Sequence, residues 1–322
     1  MTSLFDFNLF VALFLFFFGK VSKAIGFIYI DPKHFISNDI YNYIKKKKLS
    51  NALTEFGFTN NYTDYSLFTY FKGGSCLYVL VYVDDFIVGG NDSKLTAEFK
   101  AYMSECFHMK DLGPLKFFLG IEVSRGKQGI YISQRKYTLD IISECGLLGA
   151  KPVDIPIEQN HTLAKEDGEF YPEPTKYRRL VGRLVYLSIT RPDLCYPVHL
   201  LAQFLGQPRK RHWDAAVRLV RYLKGTCGQG LLLSNADDLH LDAYCDSDFQ
   251  TCPKTRRSLS GYVVLLGKPP ICWKTKKQER VSLSSAEAEY RAMAYTYQEL
   301  IWLKELLLIF SSSSSRIHNS SL

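Results

Sequence analysis

The feature that most constrains this chain is the run from Leu77 to Gly90, LYVLVYVDDFIVGG. Seven apolar residues, Leu77 to Val83, meet two adjacent acids, Asp84 and Asp85; three more apolar residues and Gly89-Gly90 follow. Short apolar runs rich in β-branched and aromatic residues predict a buried strand, a tight turn and a return strand. The acids would then stand at the hairpin tip, held by two rigid strands. One Asp at a turn is ordinary, because its side chain bonds the local backbone. Two together concentrate negative charge where no cation is built in, and carboxylate oxygens suit Mg²⁺. The pair alone still leaves the acidic-turn reading open.

Tyr82-Val83-Asp84-Asp85 is similar to the polymerase signature of reverse transcriptases, and its surroundings extend the likeness. LTEFGFTNNYTDYSLF (Leu53 to Phe68), FHMKDLGPLKFFLGIEV (Phe107 to Val123) and the stretch Tyr177 to Thr226, with YRRLVGRLVYLSITRPDL and LVRYLKGT, resemble copia-type LTR retrotransposon Pol polyproteins. SLSGY (Ser258 to Tyr262), CWKTKKQ (Cys272 to Gln278) and SSAEAEY (Ser284 to Tyr290) resemble the attached ribonuclease H domain. Each motif is weak alone; their order over Lys46 to Leu308 carries the resemblance.

The resemblance implies an α+β fold. A partial reverse-transcriptase palm, an antiparallel sheet with the YVDD hairpin, would be followed by a helical thumb and connection and an incomplete RNase H-like α/β domain. The expected organisation is a non-family apolar leader over 1–45, the palm and thumb remnant over 46–150, and a linker with helical connection over 151–228. A truncated RNase H-like domain over 229–310 and a serine-rich, disordered tail over 311–322 complete it.

A chain of 322 residues can hold two modest domains with cores of their own. Its 47% apolar and 22% charged residues are those of a globular protein, and the net charge of +8 suits a polyanionic partner. The eight cysteines have no C-x-x-C spacing, which excludes the common zinc patterns and fits small core residues in a reducing compartment, cytoplasmic or nuclear. Leu9 to Phe18 is uninterruptedly apolar, but ten residues fall short of the roughly 20 a bilayer span needs. Extending the segment to residues 4–30 admits Asp6, Lys20 and Lys23, so a membrane anchor there is the minor alternative.

In chain order, Lys45 to Lys48 opens a helical pattern that Gly57 stops, and Ser66 to Tyr70 reads as a strand. Asn91 to Ser93 caps a helix reaching Phe107, with Leu95, Phe99 and Met103 inward. Leu115 to Ser124 and Ile130 to Ser133 read as strands, and Gln134 to Cys145 as a helix ended by Gly146. Lys151 to Thr175, with four prolines, is a long surface connection. Helices follow over Tyr177 to Ile189, Leu194 to Leu205 and Arg211 to Leu223. Strands follow over Gly230 to Ser234, Leu239 to Tyr244, Gly261 to Leu266 and Ile271 to Lys274, and then one long helix from Ser285 to Phe310.

Phosphoryl transfer by two metals needs carboxylates that fix the ions about 4 Å apart. By resemblance, Asp84 holds a Mg²⁺ or Mn²⁺ ion and Asp85 assists. Asp246 and Glu287 take the first two nuclease positions, with Asp248 and Glu289 as neighbours. Ser284-x-x-Glu287 is also a capping box, in which the glutamate serves the helix end instead. No segment before Asp84 resembles the family's first catalytic motif. Asp31, at the end of FIYID, is set aside because Pro32 follows and the spacing is short. The family's third nuclease acid lies beyond the long helix. The chain is therefore expected to bind metal weakly and to be inactive by itself, with no small-molecule cofactor. The expected partner is an RNA/DNA hybrid or primer–template, touched by Arg218, Arg221, Lys274, Lys276 and Lys277. Arg218 and Arg221 share a helix face that suits a duplex groove or plain solvent equally. The alternatives are a non-catalytic nucleic-acid-binding protein and a membrane-anchored product.

Overall fold

The chain is described by a computed structural model over residues 24–30, 38–82, 85–159, 161, 163–164, 168–234 and 240–311. These residues divide into two compact units, one within 14–116 and 301–322, the other within 117–300. The expectations for Leu9 to Phe18, Asp31, Asp84 and the serine tail after Ser311 fall outside the described residues.

The first unit comprises β1 (Ala24–Ile30), α1 (Asn38–Phe56), β2 (Thr59–Asn60), β3 (Leu67–Lys72), β4 (Ser75–Tyr82), β5 (Asp85–Gly90), α2 (Ser93–Cys106) and β6 (Met109–Pro114). Its sheet runs β2-β3-β4-β5-β1-β6 with every neighbouring pair antiparallel. β4 and β5 pair from Leu77–Gly90 at one end to Tyr82–Asp85 at the other. β1 then lies along the far side of β5, with Tyr29 opposite Asp85.

β4 is apolar on both faces because both faces are covered. Leu77, Val79, Phe86 and Val88 pack with Leu49, Leu53, Phe58, Phe99 and Met103, which come chiefly from α1 and α2. On the other face Tyr78 is 2% exposed, meets the Phe310 ring at 5.3 Å and donates to the Phe310 carbonyl at 3.4 Å. The Gly89-Gly90 end is a packing requirement: a Cβ on Gly90 would meet the Cys76 carbonyl oxygen and Leu77 Cδ2, both at 2.5 Å.

Two boundaries differ from the sequence expectation. α1 begins at Asn38, so the lysine run lies inside the helix and Lys47 and Lys48 are exposed there. An N-cap-type Ser-Asn-Asp precedes the run in sequence, an earlier start signal than the lysines. Met109–Pro114, given no element in the sequence reading, is the sixth strand, with Gly113 at φ +75°. The cap of α2 is Asp92, which accepts from the Lys94 and Leu95 amides at 2.9 and 3.2 Å and from the Ser75 hydroxyl at 2.8 Å. The Ser75 bond, followed by those amides, holds its carboxyl below the usual range.

The second unit begins with β7 (Phe117–Phe118), β8 (Ile121–Gly126), β9 (Gly129–Ser133) and α3 (Arg135–Glu144). α4 (Pro174–Leu187), α5 (Cys195–Ala202), α6 (Lys210–Gly225) and β10 (Gly230–Ser234) follow. The stretch read as one strand over Leu115 to Ser124 folds back at Leu119 and Gly120, both at positive φ, which makes β7 and β8 separate. β10 pairs with β9, Gly230 opposite Ser133, in a sheet ordered β10-β9-β8-β7.

The helices α3 to α6 enclose an apolar core of Ile141, Ile142, Leu180, Val181, Leu184, Val198, Leu201, Leu219, Val220 and Leu223. One charged side chain is buried beside it. Arg191, 1% exposed, forms a bidentate pair with Asp193 at 2.9 and 2.7 Å. It also donates to the Thr226 carbonyl at 2.9 Å, joining the start of α5 to the end of α6.

Three more strands, β11 (Leu241–Ser247), β12 (Leu259–Leu266) and β13 (Pro270–Lys277), form an antiparallel sheet in chain order, and α7 (Ser285–Ser311) follows. Trp273 of β13 donates its indole N–H to the Ser188 carbonyl after α4 at 3.0 Å, docking this sheet on the bundle. Among the described residues no helix is long and apolar enough to cross a membrane.

Candidate functional site

Asp85 opens β5 and is partly buried, paired along the backbone with Tyr82 on one side and Tyr29 on the other. The strand behind it, Phe86 to Gly90, is wholly inside, so the acid is placed by a backbone whose position is fixed by apolar packing. Asp84, one residue earlier, is outside the described residues.

The second acid group has a different setting. Asp246 is exposed near the end of β11 and lies opposite Gly261 of β12. Asp248 is committed locally: one carboxylate oxygen accepts from the Leu259 amide at 2.7 Å and the other from the Thr251 hydroxyl. Glu287, in the first turn of α7, accepts from the Leu283 amide at 2.7 Å and pairs with Arg291 at 2.6 Å. The Ser284 hydroxyl in turn accepts from the Glu287 amide at 3.1 Å. That is the capping arrangement with the return bond one residue earlier than a standard box.

Between these acids lies a side chain the sequence reading passed over. Gln278, 1% exposed, donates to the Ser247 and Ser260 hydroxyls at 3.1 and 2.9 Å and to the Ala288 carbonyl at 2.9 Å. Its carbonyl accepts from Ser282 at 2.7 Å. Ser247 is next to Asp246 and Ala288 next to Glu287, so this glutamine gathers the ends of β11, β12 and α7. A polar residue at a strand end ordinarily reads as exposed, and only its place in CWKTKKQ marked it at all.

A divalent ion would need hard oxygen donors with free lone pairs. Among the described residues no group of three His, Cys, Asp or Glu side chains is placed to hold a metal. Asp85 and Glu287 both carry oxygens of that kind, and those of Glu287 already meet the Leu283 amide and Arg291.

The basic candidates also separate. Arg218 pairs with Glu158 at 3.1 Å, and Arg221 donates to the Lys151 carbonyl at 2.8 Å. Lys224 beside them donates to the Ala150 carbonyl at 2.6 Å. This face of α6 holds the connecting segment that sequence left as solvent or groove. Lys276 pairs with Glu279 at 3.5 Å and lies 4.7 Å from the Tyr295 ring centre. Lys274 is partly exposed on β13, and Lys277 contacts Gln203 at 3.2 Å and the Cys252 sulfur at 2.7 Å.

The family described as reverse transcriptase (RNA-dependent DNA polymerase) matches residues 40–159, a span that contains the β4–β5 hairpin. The putative transposon Ty5-1 protein of Saccharomyces cerevisiae is 31% identical over 255 residues, 78% of this chain and 83% of its own length. The chain belongs to the reverse-transcriptase family of copia-type retrotransposon Pol polyproteins. The retrovirus-related Pol polyprotein from transposon RE2 of Arabidopsis thaliana is 44% identical over 260 residues, 81% of this chain but 18% of its own length. An uncharacterized mitochondrial protein of the same plant is 40% identical over 228 residues, 70% of this chain and 94% of its own. The chain thus spans about a fifth of the Arabidopsis transposon polyproteins it matches. Domains of this family use divalent metal ions and bind nucleic acid substrates.

Proposed function

We propose that this chain is a piece of a retrotransposon polymerase whose ancestral task is reverse transcription by two-metal nucleotidyl transfer. The observation that carries the reading is the Tyr82-Val83-Asp84-Asp85 signature in the sequence, taken with the antiparallel pairing of β4 and β5 on either side of it. The antiparallel sheet backed by α1 and α2 is read as the palm, α3 to α6 as thumb and connection, and β11 to α7 as part of an RNase H-like domain. Bound Mg²⁺ or Mn²⁺ would supply charge neutralisation for the attacking and leaving oxygens. The chain's own contribution is to hold Asp84 and Asp85 on a rigid tip. The primer–template is held through phosphates by the basic surface around Lys274 and Lys276.

A site of this kind draws a further acid from an earlier strand. β1 is an earlier strand, Tyr29 is opposite Asp85, and Asp31 follows β1 by one residue in sequence. That neighbourhood reopens Asp31, which the following Pro32 and the short spacing set aside. The residues before Asp84 still contain nothing resembling the family's first catalytic motif, so the chain by itself is expected not to extend primers.

The test combines Mn²⁺ binding, followed by electron paramagnetic resonance, with extension of a labelled primer–template. Weak Mn²⁺ binding that Asp84→Ala with Asp85→Ala abolishes is the expected result. Binding that the double variant retains would remove the hairpin from the metal site. Primer extension by the intact chain, absent in the double variant, would overturn the expectation of inactivity, and Asp31→Asn would then ask whether Asp31 completes the site.

A further inference from the structure

In the second unit, beside the loop between β11 and β12, lies a cavity of about 580 Å³. Cys252 and Lys277 face each other on its wall, with the lysine nitrogen 2.7 Å from the sulfur. Cys252 sits where the chain turns, its carbonyl accepting from the Arg256 amide at 2.8 Å. The amides of Lys254 and Thr255 are directed at the sulfur. Burial pushes this thiol up, but the Lys277 ammonium, the Thr255 hydroxyl and those amides outweigh it and bring it down to about 7. Burial wins instead at Cys145 and Cys195, whose thiols are raised.

The imidazoles of His161 and His199 also line the cavity, with His161 Nε2 3.3 Å from the Tyr196 hydroxyl. The acids on the same wall are committed, Asp248 to Leu259 and Thr251 and Glu158 to Arg218, while the cations Lys277 and Arg257 face the space. A small molecule with carboxylates for the cations would complement this wall. The nucleophile beside them selects for one more feature, an electrophilic sulfur.

We propose that Cys252 is a modification site for acidic low-molecular-weight disulfides, which it captures as a mixed disulfide at the mouth of this cavity. The Cys252 thiolate attacks one sulfur of the incoming disulfide, and a new S–S bond forms as the old one breaks. The departing half leaves with the bonding electron pair as a thiolate, which takes a proton from water. Cys252 is oxidised, the departing thiol is reduced, and the incoming disulfide is the only oxidant. Capture also removes the negative partner of Lys277, leaving that ammonium to the carboxylate of the adduct.

The probes are glutathione disulfide, which is anionic, and cystamine, which is cationic, reacted with the whole chain and located by peptide mass spectrometry. At pH 7 a thiol lowered to about 7 is about half ionised against roughly 3% for an ordinary one. The weaker nucleophilicity of the more acidic thiol reduces the net advantage to about threefold. Cys252 is expected to be the first of the eight free cysteines modified by glutathione disulfide, ahead of the exposed Cys106. Its rate should reach half-maximum near pH 7, and cystamine should react more slowly. Lys277→Gln should slow it and move that midpoint upward, while Lys277→Arg, which keeps the charge, should restore it. Modification of Cys106 first, a preference for cystamine, or a midpoint that Lys277→Gln leaves in place would each overturn the proposal. The wild-type measurements decide it even where Lys277→Gln does not fold.

Discussion

At the start of β5, Asp85 begins a strand whose next five residues are all inside, and apolar packing fixes the backbone that carries the acid. At the end of β11 the neighbours of the acids are polar, and Gln278, Ser247, Ser260 and Ser282 bind one another and the start of α7. Position is secured in both regions, but by different means. Packing constrains the backbone of β5 through its apolar side chains. Where backbone amides and polar side chains surround an acid, its oxygens find partners, and Asp248 and Glu287 become part of the scaffold. A motif therefore says where an acid is, and its surroundings decide whether its oxygens remain available.

The largest effect expected from breaking this contrast is at Gln278. Gln278→Ala leaves two serine hydroxyls and the Ala288 carbonyl without their buried donor, at a cost of roughly 3 kcal/mol. Amide hydrogen exchange should show β11 to β13 opening while β4 and β5 keep their protection; uniform loss across both would show that the network is not local. Next is Asp248→Ala, which frees the Leu259 amide and should cost about 1–2 kcal/mol in urea melts, against about 0.5 kcal/mol or less for Asp246→Ala. Equal losses would mean that the two acids are not differently employed.

A committed side chain also leaves a mark in pH dependence. His212 is buried, its Nδ1 accepts from the Arg209 amide at 2.9 Å and its Nε2 is 2.8 Å from the Leu163 carbonyl. Burial holds its pKa below the ordinary 6.5, so the neutral ring favours the folded state. That contribution is complete above about pH 6.5 and is lost as the pH falls toward the lowered folded value. Stability should decline on mild acidification, and His212→Gln should flatten the decline. The smallest expected effect is at the hairpin. Asp84→Asn with Asp85→Asn relieves two adjacent like charges and should raise stability by roughly 0.7 kcal/mol without metal. Added Mg²⁺ should then stabilise the wild type and leave the variant unchanged.

Much of the secondary structure was legible in the sequence. Asp92 before α2, Gly57 and Gly146 after their helices, and the apolar period of α4 and α6 are local signals, and local backbone energetics suffices to read them. The division at Leu119-Gly120 was missed because two short strands in one apolar run look like one long strand. The basic face of α6 was ambiguous for a related reason. Periodicity says which residues share a face, not what lies against it, and here the 148–158 segment does.

What the sequence determined by itself is the family and the apolar runs on either side of the acid pair, because these follow from contiguous residues and from the order of motifs along one chain. Tertiary structure decided which strand lies beside Asp85, which buried polar side chain joins β11 to α7, and which cysteine meets a lysine. Those are meetings of residues distant in sequence. Buried amides and charges must find partners wherever the fold brings them, so a partner's identity is a property of the packed chain and cannot be read from the period of any one segment.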